Sequence, residues 1–330
     1  MGNDNASKQY ISGLDLLRFL ASIGVVFSHS FMEYQNFFDA YIVRICVRWT
    51  VPFFFILTGY FLKDDFKAFV NYIVHILIQY VFWTILYAVI FKYSIWTVRD
   101  FLFALRGGII MPFWYYPTLL ICVTFVWLLF KFVKNSKIIL AICSVMFIYA
   151  IIGHTLINVP AFDFVNNGHL MQLHHRIIGD TTTRDGIFWG SLYIAIGRIM
   201  RDNKDNELLK IRNEKKFWLI WALLFVLTSL EEWAVVFFNT GEKDILIGTI
   251  PVVIMLFCYA QNKRLDKKVG TFLRTTSNAI YLTHYLFLAL FMQMGIISAP
   301  LFFLTLLSTL AAAVLLTLLS QKVKPLKYLV

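Results

Sequence analysis

Gly13-Leu-Asp-Leu-Leu-Arg-Phe-Leu-Ala-Ser-Ile-Gly-Val-Val-Phe-Ser-His29 is an apolar run that carries a guanidinium at Arg18 and an imidazole at His29. At about 100° per residue in a helix, the eleven-residue step between them turns roughly 1100°, about 20° past three full turns. Both side chains therefore share a face. The rise places them about 16 Å apart along the axis, one toward each membrane surface. An ionisable group within a bilayer costs on the order of 3 kcal/mol or more and usually marks function. Two on one face point to a site with an anion end and a proton-transfer end, against the plainer reading of two satisfied interhelical hydrogen bonds.

Hydrophobic residues make up 59% of the 330, charged residues 15%, and the mean hydropathy is +0.71. These values describe an all-α polytopic membrane protein, and no stretch between apolar runs is long enough to fold as a separate soluble domain. Residues 1–330 read as a single membrane-embedded domain. The net charge of +11 does not argue for nucleic acid, because the basic residues fall mainly in short connections, where they report orientation. Cys46, Cys122, Cys143 and Cys258 lie in apolar runs without CxxC or Cys/His spacing, so they read as packing residues. The N-terminus lacks a basic n-region and a cleavage site, and the first apolar run is not expected to be removed.

Runs long enough to cross about 30 Å of hydrocarbon fall near 11–31, 44–62, 69–91, 113–131, 137–157, 186–200, 217–238, 245–260, 277–297 and 299–320. About ten transmembrane helices are expected, the sixth and eighth being short. Lys63 and Lys67, Lys131 to Lys137, the 201–216 run, Lys263 to Arg274 and Lys322 to Lys327 then share one side with both termini, which the positive-inside bias makes cytoplasmic. The opposite connections include Glu33 to Asp39 and Gly241 to Asp244, while 92–112, with Lys92, Arg99 and Arg106, runs against the bias.

Other polar residues gather toward the opposite side. Arg44 and Arg48 begin the second segment on one face; Arg48, beside Trp49 and the Val51-Pro52 break, is expected to reach a polar cavity, with a kink at Pro52. Trp114-Tyr115-Tyr116 reads as an aromatic belt or as a pocket wall. The connection 154–185 carries His154, His169, His174, His175, Asp163, Asp180 and Asp185 without a recognisable ligand spacing, so a polar cap over the mouth is expected and a metal is not. Glu231 and Glu232 interrupt the seventh run near its end. His284 sits inside the ninth.

Four motifs in order resemble the acyltransferase family 3 integral membrane proteins: Arg18-x10-His29, Val51-Pro-Phe-Phe-Phe-Ile-Leu-Thr-Gly-Tyr60, Phe113-Trp-Tyr-Tyr-Pro117 and Ser277-Asn-Ala-Ile-Tyr-Leu-Thr-His284. They span nearly the whole chain. Within that family the Arg44-x3-Arg48-x2-Val-Pro spacing and Thr183-Arg-Asp-Gly-Ile-Phe188 most resemble the membrane portion of vancomycin-resistance serine racemases. The soluble racemase domain that follows there has no counterpart up to Val330, so racemase chemistry is not implied.

The resemblance implies movement of an acyl group, commonly acetyl, from cytoplasmic acyl-CoA to a hydroxyl on an extracytoplasmic envelope glycan, in a bacterial plasma membrane and without a metal. It carries the catalytic role to His29, with Arg18 beside it, and the residue chemistry agrees: an imidazole can deprotonate a hydroxyl and a guanidinium can hold a phosphate or polarised carbonyl. Arg44, Arg48, Trp114, Tyr115, Glu231 and His284 are the expected substrate contacts. Many members carry an arginine-rich cytoplasmic stretch after the second helix; here Lys63-Asp-Asp-Phe-Lys67 stands in its place, leaving Lys63 and Lys67 as expected CoA contacts. A different class stays open: a carrier of a small polar solute such as serine, with Arg44 and Arg48 holding a carboxylate and His29 and Glu231 relaying protons.

Overall fold

The computed structural model describes residues 12–31, 44–92, 97, 100, 111–178, 183–203, 206, 211, 213–238, 240 and 244–330. Glu33 to Asp39, Arg99, Arg106, Asp180 and Gly241 to Lys243 lie outside the described residues, as do the side chains of His174 and His175. A helix stands at each of the ten apolar runs: α1 Ser12–Ser30, α2 Thr50–Phe61, α3 Phe66–Phe91, α4 Tyr115–Phe132, α5 Ser136–Ala150, α6 Gly190–Asp202, α7 Glu214–Phe237, α8 Thr249–Gln261, α9 Lys267–Gln293 and α10 Ser298–Lys322. Five of them are long and apolar enough to cross a membrane: α3, α4, α5 with its π-helical extension to Thr155, α7 and α10. The chain is a multi-pass α-helical membrane protein.

Local chemistry sets the boundaries. Asp65 accepts from the Ala68 amide at 2.7 Å to start α3, and Asn135, Asn213 and Asp266 do the same for α5, α7 and α9, each satisfying amides that a helix start leaves open. Lys92 ends α3 in the left-handed conformation. Contacts at one end tie neighbouring connections together. At the Arg18 end, the Gly13 amide donates to the Lys263 carbonyl, the Trp127 indole to the Lys63 carbonyl, and Lys263 pairs with Glu214. The basic connections gather there.

The close approach of α2 and α6 forms the centre of the bundle. Gly59 of α2 lies against the Ile194 carbonyl, and Gly197 of α6 lies against the Ile56 carbonyl, so a Cβ at either position would occupy the partner's backbone. Small residues let membrane helices meet at backbone distance. Around this contact, Phe53, Phe55, Ile56, Tyr193 and Ile194 are fully buried.

Three helices are short. α2, α6 and α8 have 12 or 13 residues and rise only about 18–20 Å, less than the hydrocarbon thickness. The second run was expected as a helix over 44–62 kinked at Pro52; instead a turn at Arg48 and Trp49 interrupts it, and Pro52 occupies the first turn of α2, where a missing amide costs no helical hydrogen bond. Each short helix thus begins inside the bundle, α6 and α8 after non-helical backbone and α2 after a two-residue turn that follows helical residues 44–47. Those stretches bring in Arg48, Arg184 with Asp185, and Asp244.

Candidate functional site

Arg18 and His29 line one cavity of about 540 Å³, together with Lys63, Trp114, Tyr115 and Arg274. α1 supplies both ends of it, because the eleven-residue spacing aligns the two side chains. Arg18 donates from Nη2 to the Asn278 side-chain oxygen at 3.1 Å, and the Ser277 hydroxyl donates to the Arg18 carbonyl at 3.0 Å. Its Nε is buried without a partner. A guanidinium has five N–H donors, so this one retains donor capacity facing an enclosed space. Arg274 joins from α9, where its Nε donates to Asp15 at 3.0 Å.

At the other end, the His29 and His284 rings stack with centroids 5.3 Å apart and planes 28° from parallel. His284 was expected to contact substrate; it is fully buried behind His29 and does not line the cavity. Its Nδ1 lies 2.7 Å from the Tyr281 carbonyl. A carbonyl only accepts, so Nδ1 carries the proton and Nε2 presents a lone pair. That Nε2 is buried with no partner. His284 therefore fixes the environment of the His29 ring.

Trp114 and Tyr115 form cavity wall, while Lys67 is exposed and does not line it. Arg274 contributes the second cation at that mouth instead. The 263–274 run contains this residue, but nothing in its local pattern separates Arg274 from the lysines around it.

The remaining expected substrate contacts belong to a different structure. Arg48 does not reach the cavity: its Nε and Nη2 each donate to Glu232 at 3.1 Å, and its Nη1 donates to Asp244 at 2.6 Å. Arg184 donates to the second Asp244 oxygen at 2.7 Å, and its guanidinium lies 4.2 Å from the Trp114 ring centroid. His154 is buried with its Nε2 3.8 Å from the same carboxylate. Burial opposes ionisation of Asp244, but Arg48 and Arg184 outweigh it and hold this loop carboxyl below the usual carboxylate range. Glu231 faces away. Its carboxylate accepts from the Ile247 and Gly248 amides at 2.7 and 2.8 Å and so caps the start of α8. Arg44 is half-buried and does not line the cavity.

Residues 11–318 match the acyltransferase domain that defines the acyltransferase 3 family. The chain belongs to that family. It is also similar to an amino-acid racemase from Enterococcus faecalis, with 26% identity over 287 residues that cover 81% of this chain and 38% of the relative. The chain thus spans well under half of that relative's length. No solved structure matches it significantly. Family membership fits the membrane helices already described.

Proposed function

We propose that this acyltransferase moves an acyl group, acetyl in the simplest case, from cytoplasmic acyl-CoA to a hydroxyl of an extracytoplasmic cell-envelope carbohydrate. The observation that carries the reading is the shared cavity, which has His29 at one end, Arg18 along its length, and Lys63 and Arg274 at the opposite mouth. With the basic connections on the cytoplasmic side of a bacterial plasma membrane, the cationic mouth faces the donor and the imidazole lies near the acceptor.

The roles follow from the side chains. His29 takes the proton of the attacking hydroxyl as its oxygen forms a bond to the thioester carbonyl carbon. The C–S bond breaks, and the proton passes from His29 to the departing CoA sulfur. Arg18 holds a donor phosphate or the polarised carbonyl with its unspent donors. His284, with its lone pair inward, stacks on His29 and keeps a neutral ring beside the base. Single domain organisation over 1–330 and ten membrane crossings complete the reading.

The carrier reading needs Arg48 as a free carboxylate anchor and Glu231 as a relay. Glu232 and Asp244 occupy the first, and the second is a helix cap. We therefore favour acyl transfer.

The test is transfer of labelled acetyl from acetyl-CoA to envelope polysaccharide by the purified protein in vesicles. His29→Ala is expected to lower the rate about 10²–10⁴-fold, the usual worth of a general base, with normal yield and folding. A variant that keeps near wild-type transfer removes His29 from the mechanism. Uptake of labelled serine into the same vesicles, with no acetyl transfer, would replace the enzyme with a carrier.

A further inference from the structure

A second pocket opens at the Arg18 end, with a volume of about 590 Å³. Lys267, Lys268 and Lys327 line it, with the hydroxyl residues Thr271, Thr317 and Ser320. Among the described residues no carboxylate pairs with these three ammonium groups. The neighbouring acid, Asp266, is committed to the helix start, where it accepts from the Lys268 and Val269 amides at 2.8 and 3.3 Å. Lys263, a few residues earlier, shows the contrast, because Glu214 neutralises it at 2.8 Å. Three unpaired cations beside hydroxyl donors form a receptor for a polyanion.

This pocket adjoins the cavity that holds Arg18 and His29. Thr275 and Val330 line both. α9 connects them: Lys268, Thr271, Thr275 and Asn278 follow at steps of three, four and three residues, which keeps them within about 80° of one another on the helix surface. Asn278 is the residue that holds Arg18. Along this stripe the rise from Lys268 to Asn278 is about 15 Å; His284, which stacks on His29, lies off the stripe, about 24 Å along α9 and roughly 160° around it from Lys268. The stripe has polyanion chemistry at its start and, at its end, the Asn278 side chain that holds the Arg18 guanidinium.

We propose that the lysine pocket binds the phosphates of the acyl donor's nucleotide portion, so that the acyl arm extends through the adjoining cavity past Arg274 and Arg18 to His29. This assignment rests on the acyl-CoA reading above. It places the largest share of donor recognition on α9 and the 324–328 turn rather than on Lys63 and Lys67. It also supplies cations for a donor in a chain whose α2–α3 connection lacks an arginine-rich stretch. Phosphate chemistry has a second source at this depth, an anionic lipid headgroup, and the experiment separates the two.

The full chain is purified into nanodiscs of zwitterionic lipid, and binding of CoA and of adenosine 3′,5′-bisphosphate, which lacks the acyl arm, is measured by calorimetry. Lys267→Gln, Lys268→Gln and Lys327→Gln together are expected to weaken both ligands about tenfold or more, as lost charge-assisted contacts should. Lys131→Gln, Lys134→Gln and Lys137→Gln remove the same charge at the same end and are expected to change neither. Equal weakening by both triple variants would reduce the effect to a diffuse field and overturn the pocket. Wild-type CoA binding matched by the Lys267/Lys268/Lys327 variant would overturn the pocket and leave the acyl-CoA reading intact. Absence of CoA binding by the wild type would overturn both. If the variant binds both nucleotides normally but loses its preference for nanodiscs doped with anionic phospholipid, the lysines are lipid contacts and the proposal fails.

Discussion

Arg18 and Arg48 are both guanidinium groups in an apolar bundle, yet they live in opposite circumstances. Each nitrogen of Arg48 has a carboxylate partner, Nε and Nη2 on Glu232 and Nη1 on Asp244, within a network that also ties in Arg184. Glu232 is wholly buried, and its Arg48 partner is only 11% exposed. Arg18 has one side-chain partner in Asn278, a buried Nε without any, and an open cavity in front of it. Burial of a charge alone does not mark a site. What distinguishes the two is whether the hydrogen-bonding capacity is already consumed by the protein.

This contrast has a structural origin. The Arg48 network fills the space left where α2, α6 and α8 begin inside the bundle. Non-helical backbone at such depth persists only where protein groups satisfy it, and here ion pairs and the Glu231 cap do so. The Arg18 end is bounded by the C-terminal part of α2 together with α3 and α9, and there the cavity stays open.

The largest expected effect breaks the comparison directly. Arg48→Ala leaves the buried Glu232 uncompensated, a change that typically costs about 3–5 kcal/mol, and it should appear as a large fall in thermal midpoint and in folded yield. Arg18→Ala removes a partly unpaired charge from the same kind of surroundings and should leave stability close to wild type while transfer falls strongly. Arg18→Lys should transfer almost as poorly as Arg18→Ala, because an ammonium lacks the planar fork. If Arg18→Ala unfolds the protein as readily as Arg48→Ala, the two arginines do the same structural job and the functional distinction is lost.

Adjacent glutamates sharpen it further. Glu232→Gln removes the charge that faces Arg48 and should destabilise more than Glu231→Ala, which deletes a helix cap and should cost about 1 kcal/mol. Chemical denaturation of the two variants in the same detergent ranks them, and a reversed order would assign the ion pair little weight.

The smallest effect is the response to acid. Asp244 ionises below the usual carboxylate range in the folded protein, so its contribution is complete above the unfolded carboxyl value of about 3.9 and declines as pH falls below that toward the folded value. Thermal midpoints should hold from pH 7 to about 4 and drop below it. Asp244→Asn should flatten that drop. An equally steep acid limb in the variant would place the titrating group elsewhere.

Much of this was legible in the chain. A helix stands at each of the ten apolar runs, because continuous hydrophobicity and the cost of unpaired backbone in lipid leave few alternatives. The eleven-residue spacing placed Arg18 and His29 on one face of α1, since helical periodicity is a local property. The short sixth and eighth runs already pointed to α6 and α8.

Only the tertiary structure decided which charges meet. Spacing fixes the direction of a side chain on its own helix but not the neighbour that faces it. Glu232 rather than Glu231 turns toward Arg48, Asp244 reaches in from the start of α8, and Arg274 rather than Lys67 joins the cavity mouth. The same holds for His284, whose ring direction follows from its bond to the Tyr281 carbonyl and whose value lies in the stack on His29. Periodicity along one chain segment determined the helices and their faces, while long-range packing selected which arginine was spent on structure and which was kept open for chemistry.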